Sequence, residues 1–353
     1  MGSKSSSDDN LSLNTIGENP YVGETPPNAL DSWLTPNSLF YVRSQFNYPE
    51  INDEEWSLRV LGPKNSKDFS LEDIKAFPKH TLTVTLECAG NNRADLNPEV
   101  SGNQFNDGAV SNAVWSGTQL KTVLETINLD QDVIEILFEG ADIGATSEGK
   151  DHEPYLRSLP IELATHPDTL LAYEMNGEAL PIEHGYPVRL IVPGWYGMAH
   201  VKWLSKITTL TEPYYGYFQG EKYVLKYKDG TKRPVQEMQV KSTITSPNRN
   251  EAIQCCSSFY IKGHAWSGRS DIEKVEISVD CGQTWNLATV HGPSESYSWQ
   301  PWSYQWTPQL TGEHRIISRA TNKNGTQQPS ESVWNELGYQ VNGIKSISVK
   351  VVE

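Results

Sequence analysis

The sequence predicts an α+β fold in which a mixed α/β domain is followed by a β-sandwich of immunoglobulin type. Helix-like and strand-like stretches mix before residue 230, whereas the rest alternates apolar and polar residues between closely spaced turn signals. The 353 residues are enough for two domains of ordinary size. We therefore expect a disordered polar N-terminus over residues 1–27, a first domain over residues 28–230 and a β-sandwich over residues 236–353.

Two helices are expected in the first domain. The stretch SLEDIKAF, residues 70–77, starts with a Ser-x-x-Asp capping pattern and stops before Pro78. A second helix is indicated by apolar residues at helical spacing on one face. These residues are Leu120, Val123, Leu124 and Ile127.

Strand signals surround these helices and then dominate the rest of the chain. TLTVTLE, residues 81–87, places its leucines and valine on one face and its threonines on the other. The dipeptide Asn176-Gly177 suits the two-residue turn of a hairpin, and YPVRLIVPG, residues 186–194, reads as a buried strand. In the second domain, residues 275–279 and 344–352 alternate apolar and polar side chains, as half-buried strands do.

Composition and charge exclude several classes of protein. The formal net charge of -15 disfavours binding to nucleic acid or to an anionic membrane surface. No apolar run approaches the ~20 residues of a membrane span. The N-terminus has neither a secretory-type apolar segment nor twin arginines, so a soluble protein is expected, cytoplasmic as the sequence is written and periplasmic if an export signal was removed.

Motifs of common enzyme and metal sites are missing from the sequence. It contains no P-loop, no GxSxG, no HExxH and no GxGxxG after a strand. The four cysteines make no CxxC, no haem-attachment motif and no zinc-type spacing.

Cys88 stands where the strand of residues 81–87 meets a polar, glycine-bent turn, CAGNNR. A cysteine ending an apolar strand fits a buried small hydrophobe. The asparagines and Arg93, in contrast, would favour the thiolate over the thiol. A thiolate beside an arginine suits a soft metal or attack on an electrophile. From spacing alone, the structural and the chemical interpretations both stay open.

A second cluster of candidate residues lies between Glu183 and Leu204. Four basic or imidazole side chains are interleaved there with glycine bends at Gly194 and Gly197. The four are His184, Arg189, His200 and Lys202. Taken singly, each would read as a charge at a strand end facing water. Together, beside exposed backbone amides, they predict a cradle for an anionic ligand.

These motifs resemble the sulfite oxidase family of molybdopterin-dependent oxidoreductases. CAGNNR is similar to the family's Cys-Ala-Gly-Asn-x-Arg loop, and residues 171–204 follow its long hairpin segment. GHAWSGRSDIEKVEISVDCGQTW resembles the opening of its C-terminal domain. The likeness runs from about Asn37 to the C-terminus. It implies a molybdopterin-binding domain of the sulfite oxidase fold followed by a dimerisation domain, without a haem domain.

The resemblance implies a molybdenum-molybdopterin cofactor, with Cys88 as the protein's thiolate ligand to the metal. The stretch YVRSQ falls where the family binds the cofactor through Phe/Tyr-x-Arg-Asn-His, so Ser44 and Gln45 replace the usual Asn and His. Arg189 and Lys202 would face the cofactor's phosphate. The implied cofactor-binding residues are Tyr41, Val42, Arg43, Ser44, Gln45, Asp142, His184, Arg189, His200, Val201 and Lys202.

For the substrate, the family closes an anion pocket with arginines, an aromatic residue and a tyrosine. Arg43 and Arg93 match two of the arginines, and Tyr223 lies at the position of the catalytic tyrosine. Phe105 replaces the pocket tryptophan. Leu337 occupies the position of a third arginine, so the resemblance predicts a pocket with one positive charge fewer, unless Lys345 or Arg269 reaches the same place from another part of the backbone.

The activity implied is oxidation of sulfite to sulfate by oxygen-atom transfer, with electrons passed to a separate acceptor, first a soluble cytochrome and second dioxygen. A homodimer built through residues 236–353 is also implied, and the alternating aromatics of YSWQPWSYQW, residues 297–306, exceed what one small sheet face usually buries. Two alternatives stay open. The chain could act on another S- or N-oxyanion such as nitrate, or it could be a non-catalytic binding protein.

Overall fold

The computed structural model describes residues 11–52, 54–147, 149, 151–293 and 295–353. The elements up to residue 210 are β1 (Asn14–Glu18), β2 (Tyr21–Glu24), β3 (Val42–Arg43), β4 (Leu58–Leu61), β5 (Ser66–Phe69), α1 (Leu71–Ala76), β6 (Lys79–Glu87), β7 (Val110–Gln119), α2 (Leu120–Glu125), β8 (Glu135–Gly144), β9 (Glu153–Pro160), α3 (Ile161–Ala164), β10 (Leu170–Met175), β11 (Glu178–Ala179), β12 (Arg189–Ile191) and β13 (Leu204–Leu210). The later strands are β14 (Val224–Lys226), β15 (Lys232–Pro234), β16 (Lys241–Ser246), β17 (Ala252–Gln254), β18 (Phe259–Trp266), β19 (Ile272–Ser278), β20 (Asn286–Leu287), β21 (Thr289–Val290), β22 (Gln300–Trp306), β23 (Gly312–Asn322) and β24 (Ser346–Val352).

The N-terminal prediction of disorder over residues 1–27 is wrong for the part that the structure describes. Strands β1 and β2 form an antiparallel hairpin, and Val22 of β2 pairs with Arg43 of β3. Val22 is buried, and the Glu24 carboxylate accepts a hydrogen bond of 2.9 Å from the Asn106 amide. Distant strands and loops thus stabilise this polar segment, and its composition alone does not show them. Residues 1–10 lie outside the described residues.

Both helices predicted from local signals are present. Helix α1 begins with a capping box, in which the Ser70 hydroxyl accepts from the Asp73 amide and the Asp73 carboxylate accepts from the Ser70 amide. Helix α2 buries its apolar face in the core. The helices are nevertheless short, so sheets make up most of the described chain.

Two sheets carry the residues expected at the functional site. One has the order β11-β10-β7-β6, with β12 also pairing β10, and the other has the order β5-β4-β13-β8-β9. The hairpin expected at Asn176-Gly177 joins β10 to β11, and both turn residues have positive φ angles. Strand β6 ends at Glu87, so Cys88 directly follows its last residue.

The C-terminal region is a β-sandwich. Its sheets have the orders β16-β18-β22-β21 and β17-β24-β23-β19-β20. Apolar side chains from both sheets form one core between them, including Ile261 and Trp302 from one sheet and Ile277 and Val349 from the other.

The aromatic residues of 297–306 are explained without a dimer. Trp299, Trp302 and Trp306 are all buried within the chain. Trp299 stacks on His264 at 4.3 Å between ring centroids, and its indole N–H donates to the Trp33 carbonyl. Trp299 therefore joins the sandwich to the first region, while Trp302 and Trp306 lie in the core of the sandwich. This burial removes one of the two grounds for the homodimer.

The polar face of β6 lies against the sandwich, not against solvent. The Thr85 hydroxyl accepts from the Trp299 amide at 2.7 Å. Glu87 forms an ion pair of 2.9 Å with Lys241 and accepts from the Trp266 indole at 2.9 Å. The side chains of Glu87 and Lys241 are 2% and 7% exposed, so this is a buried ion pair between the two regions.

Candidate active site

Most of the residues expected at the site line one cleft in the first region. The empty space in this cleft, counted out to open solvent, is about 660 Å³. From the expected set, it is lined by Tyr41, Arg43, Ser44, Gln45, Cys88, Asp142, His184, Arg189, His200, Lys202 and Tyr223.

Four expected residues do not line the cleft. The side chains of Val42 and Val201 are buried, as is the ring of Phe105, which lies in the apolar cluster that also contains Cys88. Arg93 lies beside the cleft, where its Nη1 donates to the Asn103 carbonyl at 2.8 Å and its guanidinium lies 5.2 Å from the Tyr339 ring centroid.

The CAGNNR turn is fastened by its asparagines. The Asn91 side chain donates to Glu87 and accepts from the Ala109 amide, while Asn92, with φ of 65°, donates to Asp107. A Cβ at position 90 would lie 2.5 Å from Nη2 of Arg93, so a larger residue there would displace the guanidinium. The turn thus positions both Cys88 and Arg93, and its asparagines serve the loop's geometry more than the thiol's charge.

Arg93 lowers the pKa of the Cys88 thiol, as expected, but the net effect of the surroundings is to raise it. Burial raises the pKa of the Cys88 thiol, although Arg43 and Arg93 act in the opposite direction. In the protein without a metal, the thiol form is therefore favoured, and binding of a metal would displace its proton.

The four side chains of the predicted anion cradle all line the cleft, and their binding of an anion stays a prediction. Burial and then Arg189 lower the pKa values of both His184 and His200 to about 3, so both imidazoles are neutral at neutral pH. Burial lowers the pKa of Arg189 to about 10 and that of Lys202 well below its usual value. The cleft therefore keeps its cations at a high cost in desolvation.

The two glycine bends of the cradle differ in role. Gly197 allows close approach to the cleft, because a Cβ there would lie 2.6 Å from the hydroxyl of Tyr41. Gly194 lies against Arg269 and Gly268 of the sandwich, and its carbonyl accepts from the Met238 amide at 2.9 Å. Gly194 thus serves the contact between the two regions.

Gln45 links two residues expected in the substrate pocket. Its side-chain oxygen accepts from Nη2 of Arg43 at 3.1 Å, and its amide donates to the hydroxyl of Tyr223. Ser44 accepts from Lys202 at 2.6 Å. Both replacements of the family pattern therefore hold functional side chains in place, a role that only the structure reveals.

Neither cation considered as a substitute at position 337 reaches the cleft. Lys345 is paired with Asp95 and Asp107 at 2.9 and 3.0 Å. Arg269 packs against Gly194. Leu337 itself offers its carbonyl to Nε of Arg93 at 3.2 Å, and its side chain packs against the core.

Comparisons with known proteins account for both regions. The family model described as "Oxidoreductase molybdopterin binding domain" matches residues 45–218, and that described as "Mo-co oxidoreductase dimerisation domain" matches residues 232–351. Sulfite oxidase of Arabidopsis thaliana is 31% identical over 93% of this chain and 91% of its own length. The chain belongs to the sulfite oxidase family.

Other members of the sulfite oxidase family extend this comparison. Mitochondrial sulfite oxidase of Rattus norvegicus is 34% identical over 96% of this chain, which spans 66% of that protein. The crystal structure of the sulfane dehydrogenase SoxCD from Paracoccus pantotrophus superposes with a TM-score of 0.86 at 27% identity, over 99% of this chain and 93% of that one. Among the residues described, no helix is long and apolar enough to cross a membrane.

The cleft fits the molybdopterin cofactor of the family. Nε of Arg189 is buried without a hydrogen-bond partner among the described residues, and its Nη atoms donate only to the carbonyls of His184 and His200. Three cations, those of Arg43, Arg189 and Lys202, line the cleft, and no ion pair with a carboxylate is found for any of them within the described ranges. An anionic ligand would satisfy them, and the sulfur of Cys88 suits a soft metal.

Proposed function

We propose that this chain is a molybdenum-dependent oxidoreductase that oxidises sulfite to sulfate. The supporting observation is that Cys88, Arg43 and Tyr223 converge on one cleft that also holds a cation-rich cradle. When bound, the molybdenum cofactor would supply oxygen-atom transfer and two-electron redox chemistry. Overall, one sulfite and one water give one sulfate, two protons and two electrons.

Each of the main site residues has a proposed role. Cys88 holds the metal, while Arg189, Lys202 and the neutral imidazoles of His184 and His200 bind the pterin and its phosphate. Arg43 and Arg93 attract and orient the substrate anion in a partly desolvated site, where fixed charges act strongly.

Tyr223 donates a hydrogen bond to the substrate and takes part in moving the proton from water. Burial raises the pKa of Tyr223, with Arg43 opposing this effect, so the phenol stays protonated and can donate. Its hydrogen bond with Gln45 fixes the ring's position relative to Arg43.

The electrons are proposed to pass to a separate acceptor, first a soluble cytochrome and second dioxygen. The sequence carries no Cys-x-x-Cys-His motif for covalent haem. Comparing reduction of a cytochrome with consumption of dioxygen by the sulfite-reduced enzyme would distinguish the two acceptors.

The direct test is expression in a host that makes molybdopterin, followed by metal analysis and sulfite-dependent reduction of ferricyanide. We expect about one molybdenum per chain and two ferricyanide ions reduced per sulfite. Protein without molybdenum under these conditions would identify a non-catalytic binding protein. Molybdenum-loaded protein that reduces no ferricyanide with sulfite would reject sulfite as the substrate.

A second candidate substrate is sulfane sulfur, for which the sulfane dehydrogenase SoxCD is named. The structural match to SoxCD covers almost the full length of both chains. In addition, Gln45, Phe105 and Leu337 depart from the sulfite oxidase pattern. Assaying thiosulfate beside sulfite tests this candidate. A higher kcat/KM for thiosulfate would favour it.

We further propose that the chain forms a homodimer through its sandwich, since residues 232–351 match a dimerisation-domain model. The alternating tryptophans are buried inside the chain, so the interface must use other residues. Exposed apolar side chains of the sandwich are Tyr260, Leu287 and Leu310. Light scattering at micromolar concentration is expected to give twice the 39.6 kDa of one chain. A monomer mass alone would contradict the proposed dimer.

Replacing Leu337 with arginine is expected to lower the KM for sulfite and to steepen its dependence on salt. A unit charge pair at ~4 Å is worth up to ~4 kcal/mol at an effective dielectric of ~20, before desolvation, so an effect of about tenfold is reasonable. The control is Ile134→Arg, which adds the same charge at a site that is 41% exposed and lies outside both the cleft and the sandwich. An unchanged or higher KM in a folded, molybdenum-loaded Leu337→Arg protein would mean that the pocket is completed elsewhere or that sulfite is not the natural substrate.

A further inference from the structure

Arg157, on strand β9, is a buried cation that none of the sequence motifs includes. It is 2% exposed, and its Nη1 donates to the carbonyl of Phe218. Its Nε has no hydrogen-bond partner in the described part of the chain, and no carboxylate there forms an ion pair with it. A guanidinium that is buried, incompletely hydrogen-bonded and without a counter-ion is costly to retain.

The guanidinium lies behind the tyrosine of the proposed substrate pocket. Its Cζ is 5.8 Å from the ring centroid of Tyr223, whose ring in turn lies 5.4 Å from that of Tyr339. The guanidinium carbon of Arg93 lies 5.2 Å from the centroid of the Tyr339 ring. Tyr223 lines the cleft, whereas Arg157 does not.

Three arginines therefore surround Tyr223 without a carboxylate among their ion-pair partners within the described ranges. Arg43 donates a hydrogen bond to Gln45, which in turn donates to the hydroxyl of Tyr223. Arg93 lies over the ring of Tyr339, the neighbour of Tyr223. Arg157 lies 5.8 Å from the ring centroid of Tyr223. Fixed like charges repel one another, so their convergence on one point is stable only if a negative charge offsets it. The two carboxylates that line the cleft, Asp142 and Glu183, both interact electrostatically with Lys202.

We propose that Arg157 is a positioning residue for the substrate anion, acting through Tyr223. Its charge raises the positive potential at the pocket, and its guanidinium packs near the Tyr223 ring, whose hydroxyl is held by Gln45. Arg157, on strand β9, thereby supplies a positive charge that Leu337 does not provide. The inference rests on the proposed function, because it takes an oxyanion of sulfur as the substrate.

The test compares Arg157→Gln, which keeps a hydrogen-bond donor but removes the charge, with Arg157→Lys, which keeps the charge. Both are made as molybdenum-loaded holoenzyme, with metal content and thermal unfolding measured for each. The matched control is Arg59→Gln, which removes the same charge from a side chain that is 60% exposed. Two readouts are the affinity of the resting enzyme for sulfate by calorimetry and the separate values of kcat and KM for sulfite.

For Arg157→Gln we expect sulfate affinity to fall and the KM for sulfite to rise, each by about tenfold, with kcat changed less than about threefold. Arg157→Lys should recover both values to within about threefold of wild type, and Arg59→Gln should leave them unchanged. Leu337→Arg should lower KM more in the Arg157→Gln background than in the wild type, because the charges serve the same anion.

The proposal is overturned if Arg157→Gln binds sulfate and sulfite as the wild type does, or if it loses thermal stability with KM unchanged. If Arg157→Gln does not fold, Arg157→Met replaces it. Failure of both uncharged variants to fold, beside a folded and active Arg157→Lys, would assign Arg157 to the fold and also overturn the proposal. A wild-type protein that does not oxidise sulfite would instead reject the proposed function, and sulfate calorimetry would still report on the charge of Arg157.

Discussion

Replacing Cys88 with serine is expected to reduce sulfite-dependent turnover to below about one thousandth of the wild-type rate, since loss of outer-shell partners alone costs about 10–100-fold at metal sites. A serine hydroxyl is a harder donor than a thiolate and does not ionise at neutral pH, so it is a poor ligand for a soft metal. The backbone of Cys88 is held independently of its side chain. Its amide donates to the Ala109 carbonyl at 2.8 Å, and its carbonyl accepts from the Asn91 amide at 2.9 Å.

The Cys88→Ser protein should therefore fold, and its molybdenum content and visible absorption should change together with its activity. Cys281→Ser is the matched control, because Cys281 is an exposed free thiol in the sandwich. Cys255 and Cys256 serve as further controls. They lie in a turn with their sulfur atoms 3.5 Å apart. A fully active Cys88→Ser enzyme would refute the assignment of the metal ligand.

Replacing Lys241 with methionine is expected to lower the free energy of unfolding by about 3–5 kcal/mol, because it leaves the buried carboxylate of Glu87 without its counter-ion. That carboxylate would keep only its hydrogen bonds from Trp266 and Asn91. The change also affects the active site, because Glu87 immediately precedes Cys88 and shares the hydrogen bond that fastens the CAGNNR turn. Urea unfolding followed by tryptophan fluorescence measures the effect.

Two comparisons make the stability experiment specific to burial. Lys262→Met breaks an ion pair of 3.3 Å between Lys262 and Asp31, whose side chains are 49% and 44% exposed. This pair also joins the two regions, but it should cost less than about 1 kcal/mol because solvent screens it. The double variant Glu87→Gln/Lys241→Met should be more stable than Lys241→Met alone, because no charge is then left buried and unpaired. A loss of less than about 1 kcal/mol for Lys241→Met would contradict this account.

Several features could be predicted from the sequence because they depend on residues close together in the chain. The capping box of Ser70 and Asp73 and the turn at Asn176-Gly177 are each complete within four residues. The strand that ends at Cys88 shows its period directly. The family also follows from short motifs in order, and these place Cys88, Arg43 and Tyr223 at one cleft.

Other features depend on which side chains the fold brings together. The threonine face of β6 reads as a solvent-exposed face, and only the sandwich, more than 150 residues away in the chain, turns Glu87 into half of a buried ion pair with Lys241. The N-terminal hairpin reads as disordered because its partners, β3 and the loop of Asn106, are distant in sequence. The pKa of Cys88 could not be predicted from the sequence for a related reason. Neighbouring charges are visible in a sequence, whereas burial, which dominates here, is not.

The family, the local elements and the residue types available for chemistry follow from the sequence. The distribution of charge around those residues follows only from the fold. Arg157 stands in a strand whose pattern does not distinguish it from a surface arginine, yet it is buried near Tyr223 with no carboxylate partner among the residues that the structure describes. Electrostatic energy depends on distance in space and on exclusion of water, and neither quantity is a property of spacing along the chain.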